Sequence, residues 1–136
     1  MHMFMNDEDM NTFLAQVCPE GEHYAAAGYG TIRGSIGEIL LFGALSNAYC
    51  YMGVTGNSLV VVETGAGNDC IHQYAVIPYS QITNLKLGSA LNLYTINVET
   101  EKGGLKMVLN KSKGINKCAR QKENAKIIYE TLKKYA

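Results

Sequence analysis

The chain has 136 residues, of which 47% are apolar and 18% charged, and its formal net charge is zero. One domain's worth of chain with that apolar content can bury a core, which excludes a disordered protein. The longest strictly apolar run is about four residues, far below the roughly 20 that span a bilayer as a helix. The zero charge hides a polarity: residues 1–101 carry a net of −8, and residues 102–136 a net of +8. Two readings of that tail stand side by side, a solvated basic face over an acidic body or a surface for an anionic partner.

In chain order, Asn6 precedes Asp7, Glu8 and Asp9, the pattern of a helix cap followed by acids that complement the helix dipole. Met10, Phe13, Leu14 and Val17 then fall on one helical face, and Pro19 and Gly21 end the helix. Three turns do not stand alone in water, so this stripe is expected on the body of the domain or on a partner. The first strand is expected over about residues 22–33. The segment after it places Ile36, Ile39, Leu40, Leu41, Phe42 and Leu45 among glycines. It either folds inward or forms an exposed apolar loop that meets a partner chain or a membrane.

From Tyr49 to Asn110 the sequence reads as a row of short strands. Tyr49–Thr55 and Ser58–Thr64 flank Gly56-Asn57, a pair suited to a two-residue primed turn with positive φ. Strands over Cys70–Ser80, Ile82–Gly88, Leu91–Thr100 and Leu105–Asn110 follow, each bounded by Gly, Asn, Pro or Ser. Pro78 cannot donate to a ladder, so it is expected to end the fourth strand or to lie on an edge. From about Lys117 the period becomes helical, with Cys118, Ala125, Ile128, Leu132 and Tyr135 on one side. Lys117, Arg120, Lys122 and Lys126 form the candidate anion surface of that segment.

Chemical signatures are sparse. The cysteines at 18, 50, 70 and 118 include no C-x-x-C pair, and reduced thiols in a cytoplasm are the expectation, the N-terminus lacking a signal-peptide pattern. Cys70 and His72 lie two apart on an expected strand, and no third residue completes a nucleophile–base arrangement. A metal there needs a further ligand, with His23 and Cys50 as the candidates. Gly28, Gly30, Gly34 and Gly37 do not keep the spacing of a dinucleotide loop. No cofactor, no metal site and no enzymatic activity are expected, and nucleic acid is disfavoured because no strand interleaves aromatic and basic residues.

Seven strands and a terminal amphipathic helix bring a family into view. Tyr51-Met-Gly-Val-Thr-Gly-Asn-Ser-Leu-Val-Val-Val-Glu63, Ile77-Pro-Tyr-Ser-Gln-Ile82 and the segment from Asn110 to Lys126, with Gln121-Lys-Glu-Asn124 opening the helix, resemble a bacterial pleckstrin-homology-like (PH-like) domain and the related GRAM-type domains. The resemblance covers roughly residues 22–136 and leaves residues 1–21 as an added helix and linker. It implies a mainly β fold, a seven-stranded antiparallel barrel capped by a C-terminal helix. It implies a non-enzymatic protein-binding or self-assembly module, with a homo-oligomer or another protein as partner. The alternative is a peripheral membrane or anionic-ligand module, acting through the apolar 36–45 loop or the basic C-terminal helix. Eukaryotic relatives often grip an inositol phosphate with basic residues between the first two strands. Here that loop has Arg33 at its start, no lysine, and Glu38 in its middle.

Overall fold

The computed structural model describes residues 2–37 and 48–136. Its elements are α1 (Asp7–Val17), β1 (Ala26–Gly37), β2 (Ala48–Val54), β3 (Ser58–Thr64), β4 (Ile71–Pro78), a 3-10 turn (Tyr79–Gln81), β5 (Ile82–Ser89), β6 (Leu93–Thr100), β7 (Gly103–Asn110) and α2 (Gln121–Lys133). The seven expected antiparallel strands are all present in one sheet of order β4-β3-β2-β1-β7-β6-β5. That sheet is open, with β4 and β5 as its edges, where the family resemblance implied a barrel. Ala125, Ile128 and Leu132 of α2 join the core between the two halves of the sheet, so a helix completes the core without pairing of the edges.

β1 is the spine. Ala26–Ile32 pair with β2, and Gly30–Gly37 pair with β7, so Gly30 to Ile32 carry partners on both sides. A Cβ at Gly30 would drive into the carbonyl oxygen of Val108, which is why only glycine lets the strands approach there. The first strand begins four residues later than expected. Residues 22–25 anchor the α1 connection instead: Tyr24 OH donates to Leu14 O at 2.7 Å, and Thr55 Oγ1 donates to Glu22 Oε1.

The β2–β3 turn is also built differently from expectation. Among the described residues, positive φ occurs at Gly21, Gly37, Asn68, Gly103 and Gly114, and not at Gly56 or Asn57. The Thr55 hydroxyl holds this turn instead, accepting from Asn57 N at 3.1 Å and Ser58 N at 2.9 Å. Pro78 does end β4, an edge strand, as its missing donor requires.

Two apolar clusters share the sheet. The inner one takes Cys50, Met52, Val54, Leu59 and Val61 together with Ile96, Val98, Leu105, Met107 and Leu109. The outer one takes Met10, Phe13 and Leu14 of α1 against Tyr51, Val60 and Val62, closed by Met5 and Cys118. Alternation along β3 therefore feeds both clusters, and all seven of its residues are buried. The α1 stripe is thus no self-association surface. It lies on the body of the domain, one of its two expected places, against the outside of β2 and β3.

Asn6 caps α1 as its sequence position requires, its Oδ1 accepting from Asp9 N at 2.8 Å. The segment before it is clasped to the far end of the chain. Lys117 N donates to Met5 O at 2.7 Å, Met5 N to Asn116 Oδ1 at 2.9 Å, and Ala119 N to Asp7 Oδ2 at 3.1 Å. Cys118 belongs to this outer cluster and precedes α2, where the sequence placed it on the helix face.

Candidate functional site: the basic face of α2

α2 buries Gln121, Ala125, Ile128 and Leu132. At about 3.6 residues per turn, Lys122, Lys126, Tyr129 and Lys133 follow one another along a single flank of the helix. Gln121 fixes that flank in rotation. Its amide accepts from Tyr29 N at 3.0 Å and donates to Tyr29 O at 3.0 Å and Asn110 O at 2.7 Å. Gly28 makes room for it, since a Cβ there would come within 3.1 Å of Gln121 Oε1. A buried amide with these three bonds ties the first turn of α2 to β1 and β7.

The sheet then completes the surface. Tyr94 of β6 stacks on Tyr129, ring centroids 4.3 Å apart and 16° from parallel. Lys111 Nζ lies 4.7 Å from the centroid of Tyr94 and donates to Ser89 Oγ at 2.7 Å. Lys133 Nζ lies 5.8 Å from the centroid of Tyr129. Two cations thus flank a tyrosine stack, an arrangement in which the lysine stems cover the rings and the ammonium groups stay in water. Among the described residues no carboxylate comes within 4.0 Å of Lys111, Lys122, Lys126 or Lys133. Such a surface is locally positive.

The structure divides the set named from sequence. Lys122 and Lys126 lie on the stripe. Arg120 is the N-cap residue of α2, exposed at the helix's positive end. Lys117 belongs to the N-terminal clasp, its Nζ 5.3 Å from the centroid of Phe4. Lys111, Lys133, Tyr94 and Tyr129 were missed. The spacing 122, 126, 129, 133 was readable in the sequence, whereas Tyr94 and Lys111 join only through the docking of α2 on β6. Of the apolar set, Ile36 pairs with Gly104 within β1, and Ile39, Leu40, Leu41, Phe42 and Leu45 lie outside the described residues.

The thiol and imidazole candidates separate too. Cys70 is exposed, and His72 Nδ1 lies 2.8 Å from Oε1 of the buried Glu63 on the neighbouring strand. Burial, followed by the charge of Glu63, pushes the Cys50 thiol up to about 12. Burial and the nearby Asp7 do the same for Cys118, also to about 12. Both are packed thiols near neutral pH and poor nucleophiles. Among the described residues no group of three or more His, Cys, Asp or Glu is placed to hold a metal ion. No described helix is long and apolar enough to cross a membrane.

No family model matches the chain, and no curated protein matches it. Solved structures do. The C-terminal domain of an unknown protein from Leishmania infantum superimposes with a TM-score of 0.52 at 13% identity, over 94% of this chain and 93% of that one. The hSac2 domain from human phosphoinositide phosphatase Sac2 superimposes with a TM-score of 0.54 at 6% identity, over 93% of this chain and 76% of that one. At such identities the likeness is one of fold: a mainly β chain, one seven-stranded open sheet and a helix at each end of the sequence.

Proposed function

We propose that the protein is a non-enzymatic protein-binding module of the PH-like type, which receives an acidic segment of a partner protein along the α2 flank. One observation carries the reading: Lys111 and Lys133 flank the Tyr94–Tyr129 stack, Lys122 and Lys126 extend the same flank along α2, and none of the four has a carboxylate within 4.0 Å among the described residues. The strand order and the terminal helix support the PH-like assignment, at the level of architecture. A narrow peptide suits the flank better than a membrane does, because Glu123 and Glu130 stand on the adjacent exposed face and would meet anionic headgroups. Self-assembly is the weaker proposal, since Met10, Phe13 and Leu14 are buried within the chain.

The test is a titration of the protein with a fluorescent polyglutamate peptide, alongside sedimentation with phosphatidylserine vesicles. Peptide binding is expected to weaken steeply between about 50 and about 200 mM salt. It should vanish in Lys122→Glu/Lys126→Glu without loss of the thermal transition. Peptide binding that survives the double variant overturns the site, and vesicle binding without peptide binding overturns the choice of partner.

A further inference from the structure

Away from α2, the outer face of β1, β7 and β6 carries a trough of about 480 Å³. Its position follows from the ladder. Leu105, Met107, Ile96 and Val98 point into the core, so the residues alternating with them, Gly104, Lys106, Asn97 and Glu99, point outward. Gly34, Lys106 and Asn97 are lateral neighbours on three adjacent strands, and Glu99 pairs with Gly104 one step along. The trough exists because Gly34 and Gly104 leave its floor without side chains; a Cβ at Gly34 would meet nothing within 4 Å. Arg33 reaches its rim through a register break. Ile32 pairs with Met107 and Gly34 with Lys106, leaving Arg33 as the extra residue of a bulge, a device that re-aims a side chain.

The walls therefore carry two cations, Arg33 and Lys106, and one carboxylate, Glu99. Among the described residues, neither cation has a carboxylate within 4.0 Å. We propose that this trough binds a small zwitterion, its oxyanion group between Arg33 and Lys106 and its ammonium group at Glu99. The volume lies within the range of about 300–1,000 Å³ typical of small-molecule sites. A guanidinium fork and an ammonium together hold a compact oxyanion through charge-assisted hydrogen bonds. The amide of Asn97, beside Lys106, adds an uncharged donor. A purely anionic ligand would be repelled by Glu99, and a purely cationic one by the other two, so the mixed wall selects a ligand of both signs. The site is independent of the α2 flank.

The probes are O-phosphoethanolamine and inorganic phosphate, titrated into the full chain at constant ionic strength and read from the amide resonances of Gly34, Gly103 and Gly104. O-phosphoethanolamine is expected to shift these resonances saturably. Arg33→Gln should weaken its binding by about tenfold or more. Glu99→Gln should weaken O-phosphoethanolamine and strengthen inorganic phosphate. Gly34→Leu, at a residue without positive φ, should fill the trough and abolish both. Lys122→Glu/Lys126→Glu should leave both unchanged, which separates this site from the α2 flank. Absence of a saturable shift up to about 20 mM overturns the site, that ceiling being well beyond the millimolar Kd worth about 4 kcal/mol. Equal response of both probes to Glu99→Gln overturns the zwitterion.

Discussion

β3 and β5 are strands of similar length in the same sheet, and they live in different surroundings. Every residue of β3 is buried, whereas Leu85 is the only fully buried residue of β5. The difference is α1. It covers the outer faces of β2 and β3, and no described helix does the same for β5 and β6. The two strands show how far local sequence announces its own environment. Leu59-Val60-Val61-Val62 is a continuous apolar run, the mark of a strand buried on both faces, while Asn84-Leu85-Lys86-Leu87 alternates. The unbroken run was itself the signal that something had to lie on the outside of the sheet.

The comparison breaks most severely if α1 loses its anchor. Leu14 is 1% exposed and packs on the β2–β3 face, so Leu14→Ala should cost about 2–5 kcal/mol in chemical denaturation. Lys86→Ala on β5 should stay within about 0.5 kcal/mol, and equal effects of the two would mean that α1 is not part of the cooperative unit. A smaller loss is expected at the joint between the halves. Gln121→Ala leaves the N–H and C=O of Tyr29 and the C=O of Asn110 without their partner, at a cost of about 1–3 kcal/mol. A cost near zero would show that water replaces the amide. The smallest loss at a contact-making residue is Asn6→Ala, which removes the α1 cap and should lower stability by about 0.5–2 kcal/mol. Faster amide exchange confined to the first turn of α1 would mark that loss as local.

Much of this architecture was legible, because the features concerned are local. Asn6 with three following acids marks a helix start whatever lies around it. Ser58 to Thr64 and Pro78 carry their strand limits in their own chemistry. What the sequence withheld was long-range. Gln121 looked like a polar opening residue of a helix, and it is a buried bridge only because Gly28 of β1 stands beneath it. Gly56-Asn57 suggested positive φ by composition, yet the neighbouring Thr55 hydroxyl satisfies the turn's amides in another geometry. The candidate site divides in the same manner: Lys122 and Lys126 were visible as charges on a helix, while Tyr94 and Lys111 arrive from strands whose docking no periodicity encodes. Arg33 was noted as a lone cation, and Lys106 becomes its neighbour through a β1–β7 pairing that spans most of the chain.

The clasp at Met5 bears on the order of events in folding. Its partners, Asn116 and Lys117, stand 111 and 112 positions away, so these bonds close one of the longest loops the chain can form. During synthesis α1 emerges first, and the hairpin it covers is complete once Thr64 is made. From then until Cys118 appears, α1 can rest on Tyr51, Val60 and Val62 without the residue that closes its cluster or the strap that holds its N-terminal end. Contacts of such sequence separation form late, because the entropy of loop closure must be met before they contribute. The ordered start of the chain is therefore a product of its last quarter, and the amides of residues 5 and 6 should acquire exchange protection together with those of residues 116–119.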